Sequence, residues 1–102
     1  MLFSHDAPAG WEIPGRIPDE ALPPSLEAEL PACWSHRRVL SQVFEAVTPE
    51  LVVHGHYHSA YATTFVAPWG SVKVVGLDCD GTDGNRARLD CTNGVWAVTP
   101  IN

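Results

Sequence analysis

His54, His56 and His58 occupy alternate positions within five residues, with Gly55 between the first two. Imidazole is a common ligand of Zn, Fe, Mn and similar cations. Alternate residues of an extended chain project to one side, so this spacing predicts imidazoles that converge on a cation. Gly55 lacks a Cβ and is expected to let the chain turn sharply there. The apolar run Leu51-Val52-Val53 leads straight into the cluster, and α/β proteins place their chemistry at the C-terminal ends of such strands. The competing reading is a polar surface turn that happens to be rich in His. His54, inside the strand proper, also suits a satisfied core position. Of the five His in the chain, His36 reads as a surface residue at a helix start. His5 stands at another strand end, where Leu2-Phe3-Ser4 runs into His5-Asp6-Ala7-Pro8.

The ordered pair Ser4-His5-Asp6-Ala7-Pro8 and Val53-His54-Gly55-His56-Tyr57-His58 resembles the last two metal motifs of the calcineurin-like metallophosphoesterases. In that family an S/T-H-x-x-P-type segment supplies one ligand and a G-H-x-H segment two more. The resemblance spans essentially the whole chain but only the C-terminal half of a family domain. It implies that His5 and His56 bind one cation of a dinuclear centre and that His58 binds the other. The cofactors implied are two divalent ions (Mn, Fe, Zn or Mg), and the substrate implied is a phosphate ester. The family's earlier motifs, D-x-H, G-D-x-x-D and G-N-H-D/E, are absent from the sequence. With them go the bridging carboxylate and the His that protonates the leaving group, so no catalytic residue is assigned. Two cations about 3.5–4 Å apart need a bridging ligand and several more donors. Half a site is therefore expected to bind metal weakly and to turn over only with a separate N-terminal half-domain chain. Two other readings stand beside this one: a non-catalytic remnant or interaction module, and an unrelated small His-rich metal-binding domain.

Elements that would position these residues follow from pattern. Residues 6–34 carry six of the nine prolines, which predicts a Pro-rich loop, with room for a helical turn at 25–30. Trp11 and Trp34 bracket it as core or loop anchors, or as lining of a substrate cleft. A helix is predicted over 35–48, capped by Ser35 and stopped by Pro49. Val39, Leu40, Val43, Phe44 and Val47 form its apolar stripe. Arg37 and Arg38 in its first turn read as solvated cations, with contact to an anion or a carboxylate as the sharper alternative. Strands are expected at 51–54, 61–66, 71–77, 87–91 and 95–98. The last two form a hairpin through Asn93-Gly94 of type I′. The segment 78–85 fails the EF-hand template, having Asp and Leu where Gly and Glu belong, and reads as a polar hairpin turn. The expected fold class is α/β, β-rich with one clear amphipathic helix, a single partial domain over 1–102. By the resemblance it is the C-terminal half of a four-layer αββα sandwich. Such a half would leave Leu2-Phe3, Leu51-Val52-Val53 and residues 72–77 short of cover and prone to association.

Composition narrows the classes. The 102 residues include 45% hydrophobic and 18% charged residues, which argues for a packed core. Six Lys+Arg against twelve Asp+Glu give a formal charge of −6, a poor match for nucleic-acid phosphates or anionic membrane surfaces. No apolar run approaches a membrane span, and Met1 to Asp6 lacks a signal-peptide pattern. Three cysteines without C-x-x-C spacing fit reduced thiols and a cytoplasmic setting.

Overall fold

Short apolar runs without alternation mark strands covered on both faces, and Leu51-Val52-Val53-His54 is such a strand, buried at all four positions. The computed structural model describes residues 1–14, 29–79 and 81–101. Within these, the elements run β1 (Leu2–Ser4), α1 (Leu30–Val47), β2 (Leu51–His54), β3 (Tyr61–Ala67), β4 (Gly70–Gly76), β5 (Arg86–Thr92) and β6 (Val95–Ile101). The result is a small mixed α/β, sheet-rich unit with one helix among the described residues. The helical turn expected at 25–30, and residues 15–28 of the Pro-rich loop, fall outside them apart from the last two positions of that turn.

A four-stranded sheet has the order β1-β2-β4-β3, with β1, β2 and β4 parallel and β3 antiparallel to β4. The second sheet is the β5–β6 ribbon. Asn93 (φ 52) and Gly94 (φ 77) make its turn left-handed at both central residues, as the type I′ reading required. The segment 78–85 joins β4 in one sheet to β5 in the other. The hairpin expected there does not form, because β4 already has β2 and β3 on its two sides.

The helix begins at Leu30, five residues before the predicted start, so Ser35 is not its cap. Pro31 sits in the first turn, where its missing N–H has no intrahelical acceptor to lose. The Pro-rich loop therefore yields 30–34 to helix. Thr48 (φ 47) closes the helix left-handed, its N–H donating to Phe44 O at 3.0 Å, ahead of Pro49.

Period-two alternation splits the core between two faces of the larger sheet. Val52 and Val74 pack with Phe44 of α1, with Val72 and Ala67, and with Leu2, Trp11, Tyr61, Phe65 and Trp69 around them. Leu51, Val53 and Val75 pack instead against Val98 of the ribbon, beside Met1, Leu77 and Ala87. Most of the segments expected to lack cover are thus buried, since helix and ribbon lie on opposite faces of the sheet; Phe3 on the edge strand stays 57% exposed. The expected helix stripe is also revised. Arg37 and Phe44 are its buried residues, whereas Val39, Val43 and Val47 face outward. No helix among the described residues is long and apolar enough to cross a membrane.

Candidate metal centre

Because β1 and β2 run parallel and in register, Ser4 beside His54, the two chains leave the sheet at the same edge. The next residues stay joined: Gly55 N–H donates to His5 O at 3.1 Å. Beyond Gly55 the backbone stops being extended. Tyr57 N–H donates to Gly55 O at 3.0 Å, closing a γ-turn on His56 at φ 75. His58 is left-handed too, at φ 51. A positive-φ γ-turn is rare, and non-glycine residues held at positive φ cost about 1–3 kcal/mol each, a strain that clusters at functional sites. The sharp bend falls on His56, not on Gly55, where an added Cβ would come no nearer than 4.0 Å to another residue.

This bend brings His56 to His5. Their Nδ1 and Nε2 atoms lie 3.0 Å apart, with ring centroids at 4.9 Å and planes at 75°. Two imidazole nitrogens each about 2.1 Å from one cation, at a right angle, stand about 3.0 Å apart. The separation matches that spacing, and as they stand the two nitrogens share a hydrogen bond. His58 is exposed and does not join them. Among the described residues no group of three or more His, Cys, Asp or Glu stands ready to hold a metal. The one-sided array expected of His54, His56 and His58 does not form, since the chain is extended only as far as His54.

His54 is 2% exposed and fully satisfied. Its Nδ1–H donates to Gly55 O at 3.0 Å, which leaves Nε2 to accept from the Tyr61 hydroxyl. Burial pushes this imidazole below its ordinary 6.5, against the smaller opposing pull of the Gly55 carbonyl. Burial also pushes Tyr61 up to about 12, so the phenol remains a donor. Tyr61 lies across Gly76, where a Cβ would collide with its ring.

The loop carrying His5 is held from below. Asp6, buried, accepts from Ala7 N–H at 2.7 Å and from the Tyr57 hydroxyl. Ser4 Oγ donates to Asp6 O at 2.6 Å. Arg37 corrects the solvated reading given to it: it is 4% exposed. Its guanidinium donates to Ala7 O at 3.0 Å and Pro8 O at 2.9 Å, and lies 5.2 Å from Trp34 and 5.9 Å from Tyr57 ring centres. Among the described residues its hydrogen-bond partners are two loop carbonyls outside any strand ladder. Arg38 is exposed, as expected. Tyr57, Tyr61, Asp6 and Arg37 were not singled out as site residues by spacing. The available signal was that both tyrosines of the chain fall within five residues of one another, beside the His cluster.

Cys33, Cys79 and Cys91 are free thiols, and Cys91 stands opposite Trp96 in the ribbon. Compared with known proteins, the chain matches no family model, no curated protein and no solved structure.

Proposed function

We propose that this chain is the C-terminal half of a calcineurin-like metallophosphoesterase domain, a cytoplasmic one, whose remaining ligands come from residues outside this sequence. The observation that carries the reading is the meeting of His5 and His56 at the shared edge of two parallel strands, 3.0 Å apart. Helix, mixed sheet and ribbon stack in the order that half of an αββα sandwich would have. In this reading His5 and His56 hold one divalent cation and His58 serves the second. When bound, the cation pair would acidify a shared water and neutralise phosphate oxygens. The chain's own residues orient the imidazoles: the γ-turn aims His56, and Arg37 with Asp6 fixes the backbone beside His5. The family's leaving-group His belongs to a motif that this sequence lacks.

The test is reconstitution with an N-terminal half-domain carrying the missing motifs, with Mn²⁺ and an aryl phosphate or its diester. Alone, the chain should bind Mn²⁺ weakly by calorimetry and show no turnover. In the mixture, turnover should appear and be lost in His56→Ala and in His58→Ala. Turnover that survives both changes overturns the assignment. The position of His58 apart from the His5–His56 pair favours a second reading, a non-catalytic remnant, in which reconstitution yields metal binding without hydrolysis. Tight one-to-one metal binding by the isolated chain would instead indicate an independent His-rich domain.

A further inference from the structure

Beside His54 lies a cleft of about 390 Å³, between the start of the Pro-rich segment and strands β3 and β4 of the larger sheet. Small-ligand sites begin at about this size. Trp11, Tyr61 and Phe65 line it, with Thr63 and Glu12. Trp11 and Phe65 meet at 71° with centroids 5.3 Å apart, so the rings make a corner, not a stack. The Tyr61 hydroxyl is turned to His54, which leaves the ring body as its contribution to the wall. Among the described residues Glu12 is the one charged group in the lining, and none of them there is Lys, Arg or His. Aromatic rings present negative faces to a cation, and a carboxylate adds to that field. An anion is repelled from such a lining, and a neutral apolar ligand gains nothing from Glu12.

We propose that this cleft binds a small organic cation, an alkylated ammonium group. None of its lining residues is a proposed metal ligand, so this binding is independent of the phosphoesterase reading. The test uses the full chain with chelator present, titrated with choline and with its neutral isostere 3,3-dimethylbutan-1-ol. Binding is read by calorimetry and by tryptophan fluorescence. Choline should bind saturably and about tenfold tighter than the isostere, the size of gap a desolvated cation–π contact supports. Glu12→Gln, at an exposed position, should weaken choline several-fold and leave the isostere unchanged. Trp11→Phe should abolish the fluorescence response. Equal affinity for the two probes, no saturable binding of choline, or an unchanged choline affinity in Glu12→Gln would each overturn the proposal.

Discussion

At residue scale the site depends on His54 staying neutral. It is buried, lowered below 6.5 by that burial, and fixed as the Nδ1–H tautomer by the Gly55 carbonyl. The unfolded chain takes up a proton near 6.5 that the folded chain refuses, so stability rises with pH through this window. The contribution is fully present above about 6.5 and is lost as pH falls toward the lowered value. Thermal melts should therefore fall in midpoint between pH 7.5 and pH 5.5. His54→Gln should start lower at pH 7.5 and show a shallower decline. An equally steep decline in the variant would assign the pH dependence to other groups. The sequence did reveal His54 as a core candidate, because it sits within an unbroken apolar run. It did not reveal the fate of His56, because period-two logic assumes a chain that stays extended, and the γ-turn ends that one residue earlier.

Strands and helix differ in how far pattern determined them. The strand segments and the type I′ turn were readable, since apolar runs and Asn-Gly carry their own local chemistry. The helix was found but misplaced at its start and on its face. Pro31 reads as a breaker until its first-turn position is known, and five apolar residues spread over two turns admit more than one buried side. Arg37 is what the helix turns inward, because the loop after β1 has carbonyls that no strand can satisfy. Arg37→Lys keeps the charge but loses the planar fork that serves two carbonyls at once. It should cost about 1–3 kcal/mol in denaturant unfolding, the range for losing charged hydrogen bonds at a buried site. Arg38→Lys, on the exposed side, should stay within about 0.5 kcal/mol of the parent.

Across the whole molecule, one sheet is closed by a helix on one face and a two-stranded ribbon on the other. The buried segments were expected to lie bare because half of a sandwich would lack its covering layer, and such long-range layering leaves no mark in any local window to say otherwise. Phe44 is the helix's anchor in this arrangement, with Trp11 and Trp69 rings at 5.3 and 4.9 Å. Phe44→Ala should destabilise the chain by about 3–5 kcal/mol. Val39→Ala, although part of the same sequence stripe, should change stability by no more than about 0.5 kcal/mol. Comparable losses in both variants, measured by urea titration, would restore the original stripe.

The His5 arm hangs from a strand of three residues with a single neighbouring strand among the described residues. Edge segments of that length fray well before the rest of a protein unfolds. The Gly55 amide, bound to the His5 carbonyl, is thus a natural reporter of detachment: its deuterium uptake should outpace that of Val74 or Val75 in native buffer. If Mn²⁺ bridges the two imidazoles, it staples the arm down, and the isotope clock at that one amide should slow on adding the metal.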